Sequence, residues 1–222
     1  HRDLHSFPTR RSSDLFVGNI ISRLSMSERM TLTNMSAELG AQTGLIAADE
    51  TTFNYIRQTG KKPEHPVQFD NISALQSDDD AYFSATHKVN VADLVPYVAM
   101  PDSPDNAVTI EKVSGVQIQQ AYIGACTGAK LEDLQMAASV LKNNTVAKGI
   151  RLLIAPASIQ TTAAAAADGT LKILTESGAI LMPSGCGACA GYGAGILAEG
   201  EVCISSTARN FKGRMGHPTS KV

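Results

Sequence analysis

Long apolar runs are missing from this chain. No hydrophobic stretch approaches the roughly 20 residues of a membrane-spanning helix, because charges or glycines interrupt each candidate. A strong charge imbalance is missing too, since 19 Lys and Arg oppose 21 Asp and Glu for a net charge of -2. The sequence therefore predicts a protein that is not integral to a membrane. It gives no electrostatic reason to expect nucleic acid or an anionic membrane as partner.

Cysteine is scarce, with four in 222 residues, all in the second half of the chain. Small secreted domains rely on a dense disulfide framework, which four cysteines in a chain of this length do not supply. We therefore expect reduced thiols and a cytoplasmic location. The composition, 43% hydrophobic and 18% charged, is typical of a globular protein with one or two domains.

The first fifteen residues contain neither an initiator Met nor an apolar stretch, so they do not form a secretory signal. They resemble a translated sequencing-adapter read-through more than a biological leader. We predict that residues 1–15 are non-native or disordered, and that the chain is a fragment of a longer protein.

Two helices are predicted in the first half of the chain. Apolar residues recur at helical spacing over residues 26–39, and Gly40 is positioned to end that helix. Asp49 is a candidate N-cap for a second helix that Gly60 would end. The acidic run at 78–80 is predicted to be a solvated helix start and not a metal site.

Proline marks the predicted boundary between two domains. Pro96, Pro101 and Pro104 punctuate an extended segment that is the best candidate for a linker. We therefore predict a partial α/β domain over residues 16–104 and a second α/β domain over residues 105–222.

Short strands alternate with helices in the second domain, which indicates an α/β layer with a largely parallel sheet. The predicted strands span 116–123, 152–155, 179–182 and 202–205, and the predicted helices span 131–141, 158–167 and 170–177. Cys126 and the pair Cys186 and Cys189 each follow the end of a strand. Open α/β sheets bind their ligands at this edge.

Glycine-rich turns surround these three cysteines, in Gly-Ala-Cys126-Thr-Gly and Gly-Cys186-Gly-Ala-Cys189-Ala-Gly. A C-x-x-C pair alone is weak evidence, since zinc sites and redox pairs share it. Three thiolates on a four-iron cluster would leave one iron open to substrate as a Lewis acid. Two alternatives use Cys203 as well, a four-cysteine zinc site and an electron-transfer cluster. Cys203 lies in an apolar strand, however, where a cysteine usually acts as a small hydrophobe.

Two arginines, Arg209 and Arg214, follow the last predicted strand within Arg-Asn-Phe-Lys-Gly-Arg. Guanidinium groups bind carboxylates in a bidentate manner, so a di- or tricarboxylic substrate is the natural ligand. The alternative is an ordinary solvated loop.

These motifs together resemble the aconitase superfamily, and most closely its 3-isopropylmalate dehydratase large-subunit family. The similar segments, in matching order over residues 16–222, are 34–41, 49–53, 101–106, 123–128, the cysteine pair and 209–214. The resemblance implies three-layer α/β/α domains with mostly parallel sheets and a 4Fe-4S cluster. It also implies reversible dehydration of a hydroxy-dicarboxylate, the interconversion of 2- and 3-isopropylmalate in leucine biosynthesis. Aconitase or homoaconitase chemistry is the alternative within the superfamily.

The resemblance also implies roles for individual residues. The implied cluster ligands are Cys126, Cys186 and Cys189, and the implied substrate-binding residues are Arg209, Arg214, Asn34 and Glu38. Asn34 and Glu38 are four apart and would share one helical face. Gly128 and Ala208 depart from the family pattern, which often has Asn at both positions.

No residue of this chain matches a catalytic acid or base of the family. The family's N-terminal His and Asp motifs are absent here. Its serine base is expected from a separate small subunit. We therefore predict a small-subunit partner, and no dehydratase activity from this chain alone.

Overall fold

The computed structural model describes residues 13–59 and 76–222. The chain divides into two compact units, His1–Leu94 and Val95–Val222. This division precedes the boundary predicted after residue 104. The segment between the two positions forms part of an antiparallel hairpin of β3 (Tyr97–Ala99) and β4 (Ala107–Thr109). The hairpin belongs to the second unit, where the side chain of Asn210 donates to its backbone.

The first unit contains two helices and a small parallel ladder. Strand β1 (Ser13–Leu15) pairs with β2 (Thr43–Leu45), and the helices are α1 (Met26–Met35) and α2 (Glu50–Gln58). Strand β1 falls inside residues 1–15, the stretch predicted to be a non-native or disordered leader. The last three residues of that stretch therefore pair with β2 as part of the first unit. The predicted helix end at Gly60 lies outside the described residues.

Helix α1 begins at a capping box. The Ser25 side chain accepts from the backbone N–H of Glu28, and the Glu28 carboxylate accepts from the Ser25 N–H. The α-helix ends at Met35 and continues as a 3-10 helix, Ser36–Leu39, until Gly40 adopts a left-handed conformation with φ of 90°. The predicted stop at Gly40 is confirmed. The prediction of a single α-helix over 26–39 is wrong in its last turn.

A buried ion pair connects the two helices of this unit. Arg29 is 3% exposed, and its guanidinium donates to both carboxylate oxygens of Asp49, at 2.6 and 2.8 Å. Asp49 also accepts from the N–H of Thr52 at 3.2 Å, which confirms it as the N-cap of α2. The hydrogen bond from Arg29 lowers the pKa of Asp49. The start of α2 therefore depends on a charged carboxylate.

Acid should destabilise the first unit through Asp49. Its pKa is lower in the folded chain, so its contribution is present above the ordinary Asp range and is lost as pH falls below about 4. Urea unfolding followed by circular dichroism from about pH 6 to about pH 2 would show the loss. An Asp49→Asn variant should lose less of its unfolding free energy over that range, while the exposed control Asp78→Asn should follow the wild type. Equal acid sensitivity in the Asp49→Asn chain would contradict the prediction.

The acidic run at 78–80 is exposed, as predicted, but no helix follows it. Residues 81–96 form neither helix nor strand. Tyr82 and Val89 are 90% and 73% exposed, so little burial is available to stabilise a helix there. Short helices depend on such burial, and aromatic and β-branched residues add little intrinsic propensity.

The second unit is built on a four-stranded parallel sheet in the order β7-β6-β5-β8. Its strands are β5 (Gln120–Gly124), β6 (Arg151–Ala155), β7 (Ile180–Leu181) and β8 (Cys203–Ser205). The predicted α/β class and mostly parallel sheets are confirmed. Strand β5 begins later than predicted, because its pairing with both neighbours starts at Gln120.

Three helices cover one face of this sheet, and their predicted positions are confirmed. They are α4 (Leu131–Leu141), α5 (Ile159–Ala167) and α6 (Thr170–Glu176). Their buried core includes Leu134, Ala138, Ile154, Ala165, Leu171 and Leu174. The four strands run parallel, so their carboxyl ends all lie at one edge of the sheet.

Loops and a 3-10 helix, Gly187–Ala190, cover the opposite face. The core on this side consists of Tyr122, Leu153, Ala155, Ala188, Leu197, Cys203 and Met215, with Cys189 packed against it. The segment that carries the cysteine pair is thus part of the sheet's packing and not a free surface loop. Across the described ranges 13–59 and 76–222, no helix has the length and apolar character to cross a bilayer.

Candidate metal centre and anion site

Cys126 lies on a strained turn at the end of the central strand β5. The chain passes from Gly124 directly into the single-turn helix α3 (Ala125–Gly128). Ala125 is buried and has φ of 56°, a left-handed conformation that is unfavourable for a residue with a side chain. The Cys126 side chain is exposed. Such strain persists where the surrounding structure holds it in place, and it is often associated with function.

Ser206 holds this turn from the neighbouring strand β8. Its Oγ accepts from the N–H of Gly124 and donates to the carbonyl of Gly128, both at 3.1 Å. Its own N–H donates to the carbonyl of Tyr122 at 3.1 Å. Sequence reasoning did not identify Ser206, because a hydroxyl residue after a strand carries no signal of its own.

Contact with Ser206 also explains one departure from the family pattern. A Cβ on Gly128 would lie 2.5 Å from the carbonyl oxygen and 2.5 Å from the Oγ of Ser206. No side chain, Asn included, fits at position 128 unless Ser206 shifts away. The hydroxyl of Ser206 occupies the space that a side chain there would fill.

The cysteine pair lies past the end of edge strand β7. Cys186 precedes the 3-10 helix and Cys189 lies within it, and the Cys189 N–H donates to the Cys186 carbonyl at 2.9 Å. The 3-10 helix ends at Gly191, which has φ of 81° and whose Cβ position would be 2.9 Å from the carbonyl oxygen of Arg214. Only glycine permits both this conformation and this approach.

A cavity of about 240 Å³ opens beside this pair. Its lining includes Tyr122, Met182, Ser184, Gly185, Cys186 and Tyr192. Ser184 is fixed in turn by a 2.9 Å hydrogen bond to Thr162 of α5. Cys186 therefore borders an open cavity, within a loop that is anchored to helix α5.

Cys203 lies away from this edge. It is the first residue of β8 and is 3% exposed, and burial raises the pKa of its thiol to about 11. The strand directs the chain from Cys203 towards Ser206, so Cys203 lies at the strand end opposite Cys126. The expectation that Cys203 is a small buried hydrophobe is supported by this location.

The two arginines lie in a loop that begins after β8. Between the two arginines, Asn210 is buried. Its Nδ2 donates to the carbonyls of Ala99, Met100 and Ser103, and the Met100 bond is the shortest at 2.7 Å. The hairpin β3–β4 thus anchors the arginine loop. Arg209 and Arg214 are both half-buried, which is not the exposure of an ordinary solvated loop.

Arg214 lies next to the cysteine pair. Its guanidinium is near the Cys189 thiol, where it opposes the increase in the pKa of that thiol caused by burial. Its Nε is buried, and it has no hydrogen-bond partner in the part of the chain that the structure describes. A buried guanidinium N–H without a partner costs free energy unless a ligand accepts from it. The structure therefore places a guanidinium, whose Nε has no partner among the described residues, beside one predicted cluster ligand.

Asn34 and Glu38 belong to the first unit. Asn34 is exposed near the end of α1, and Glu38 lies in the 3-10 helix Ser36–Leu39. A 3-10 helix has three residues per turn, so the spacing of four does not align these side chains as it would in a continuous α-helix. That Asn34 and Glu38 point at one ligand stays a prediction.

The predicted donors are free thiols near one edge of the sheet. None of the four cysteines, all of them described, forms a disulfide. Over residues 13–59 and 76–222, no three His, Cys, Asp or Glu side chains are close enough to hold one ion. Cys126, Cys186 and Cys189 therefore do not form a compact group of that kind, whichever metal is considered. A cubane binds its thiolates through separate irons, and three cysteines at one sheet edge suit that chemistry.

Comparison with known proteins identifies the family. The model of the aconitase family (aconitate hydratase) matches residues 15–115 and 111–222. The chain belongs to the aconitase family. This confirms the resemblance seen in the motifs around the cysteines and the arginines.

Two relatives illustrate the similarity within the aconitase family. A 3-isopropylmalate dehydratase large subunit of Methanopyrus kandleri is 42% identical over 92% of this chain, which covers 47% of that protein. A probable methanogen homoaconitase large subunit of Methanosarcina mazei is 44% identical over 90% of this chain, which covers 49% of that protein. The chain spans about half the length of the curated relatives it matches.

Proposed function

We propose that this aconitase-family chain supplies the cluster-binding part of a 4Fe-4S hydro-lyase that interconverts 2- and 3-isopropylmalate in leucine biosynthesis. The proposed ligands are Cys126, Cys186 and Cys189. The observation that carries the proposal is the half-buried Arg214, with its unpartnered Nε, beside Cys189. A carboxylate-binding group next to a thiolate site is what dehydration of a hydroxy-acid on a metal requires.

The chain's own residues would bind and orient the substrate. The guanidinium groups of Arg209 and Arg214 would each donate to a carboxylate and so fix the substrate's position. When bound, the cluster supplies a Lewis acid that assists departure of the substrate hydroxyl. Asn34 and Glu38 are proposed to contact the substrate or the water molecule bound beside the cluster. The base that removes the proton is proposed to come from a small-subunit partner.

A homoaconitase or aconitase reaction is the second candidate. Relatives named homoaconitase large subunit match this chain at an identity similar to those named 3-isopropylmalate dehydratase. The two reactions share the cluster and the carboxylate clamp and differ in the third substituent of the substrate. We propose isopropylmalate first because several similar relatives carry that name.

A cytoplasmic location is proposed from the absence of disulfides among the four cysteines.

Iron and acid-labile sulfide analysis tests the proposal. After anaerobic reconstitution with iron and sulfide, the chain should hold about four irons and four sulfides, with one iron lost readily on oxidation. Bound zinc without sulfide would replace the proposal with a structural zinc module. A cluster that resists loss of one iron would indicate an electron-transfer protein with four protein ligands.

A further inference from the structure

We propose that Tyr122 is a positioning residue that sets the spacing between the Cys126 turn and the Cys186 loop. This inference rests on the proposed cluster function and concerns how the chain holds its ligands apart. Tyr122 lies in β5, the central strand that leads into the Cys126 turn, and is 2% exposed.

The Tyr122 ring fills the space beneath the Cys126 turn. A Cβ placed on Gly124 would lie only 2.0 Å from Cε1 of the ring. The backbone at Gly124 therefore lies directly against the ring, and no larger residue fits there. Because Gly124 is the residue before the strained turn at Ala125, the ring sets how closely that turn can approach the sheet.

The other end of the same side chain contacts the cysteine pair. The Tyr122 hydroxyl donates to the carbonyl of Cys186 at 3.3 Å, and it is 3.6 Å from the Cβ position of Gly187. The ring also lines the cavity next to Cys186.

One rigid side chain therefore spans the two ligand segments. Strand β6 lies between β5 and β7, so backbone pairing alone does not join the Cys126 turn to the loop after β7. An aromatic ring with two rotatable bonds keeps a fixed length between Gly124 and the Cys186 carbonyl. Groups that orient metal ligands in this way typically change metal affinity 10- to 100-fold when they are removed.

Chelator challenge of the reconstituted chain tests the role. Tyr122→Phe keeps the ring and removes only the donor, and it should raise the rate of iron loss to a chelator by about tenfold. Tyr122→Leu removes the ring as well and should lower the cluster content after reconstitution further. Tyr97→Phe makes the same chemical change on an exposed tyrosine of β3, and it should lose iron at the wild-type rate.

Thermal unfolding of the same variants distinguishes positioning from general stability. A positioning role predicts faster iron loss in Tyr122→Phe with a melting temperature close to that of the wild type. Wild-type iron loss in Tyr122→Phe would overturn this inference and leave the proposed function intact. A wild-type chain that takes up no sulfide would instead overturn the proposed function, and this inference with it.

Discussion

Replacing Cys126 with serine is expected to abolish the cluster, while replacing Cys203 with alanine is expected to leave it in place. A serine hydroxyl is a poor substitute for the thiolate that ligates iron. Cys126 is exposed on its turn at the carboxyl end of β5, whereas Cys203 is buried at the opposite end of β8. The two substitutions therefore test which cysteines belong to the ligand set.

Iron and sulfide content and the visible absorption of the reconstituted variants would be measured together with thermal unfolding. Cys203→Ala should melt at a lower temperature, because it removes packed volume from a core with Tyr122 and Met215. Its sulfide content should equal that of the wild type. Loss of sulfide in Cys203→Ala, or its retention in Cys126→Ser, would contradict the assignment of the ligands.

Replacing Arg214 with lysine is expected to impair the assembled enzyme even though the charge is kept. Lysine offers one flexible ammonium where arginine offers a planar fork, and the buried Nε of Arg214 has no equivalent in lysine. Loss of one charge-assisted hydrogen bond costs about 1.5–3 kcal/mol, which corresponds to a roughly 10- to 150-fold fall in kcat/KM.

The control is Arg151→Lys in the same unit. Arg151 begins β6, at the sheet edge opposite the three predicted ligands, and pairs with Glu201 at 2.7 Å. The Arg151 side chain is partly exposed, so this change should have little effect on kcat/KM. Steady-state kinetics of both variants, each assayed together with the proposed small subunit, would decide. An Arg214→Lys enzyme with unchanged kcat/KM would show that Arg214 does not hold substrate.

Local patterns were sufficient to predict most of the second unit. Helix α4 spans Leu131–Leu141 as predicted, because apolar spacing and the acidic residues Glu132 and Asp133 in its first turn are encoded within one segment. The cysteine positions at strand ends followed from the same local reasoning. Contacts between segments that are distant in the chain leave no comparable pattern in the local sequence. Ser206 holds the Cys126 turn from 78 residues away, and nothing in its immediate sequence indicates a partner at Gly128.

The first unit shows the same limit for charges. Arg29 lies among polar residues of α1 and would be expected on its solvated face, yet it is the residue of that helix that is fully buried. Its burial depends on Asp49, which lies 20 residues later. Helical periodicity describes apolar faces and cannot indicate that a charge is neutralised by a distant carboxylate.

The placement of β8 beside the central strand also has a consequence for folding. Gln120 of β5 lies alongside Cys203 of β8, 83 residues later, whereas its pairing with Arg151 of β6 is much more local. Long loops are slow to close, so the β5–β6 pair should form early and the β8 contact late. Ser206, Asn210 and Arg214 all follow β8 in the chain. A ribosome must therefore release most of this domain before the Cys126 turn and the arginine loop can assume their final geometry.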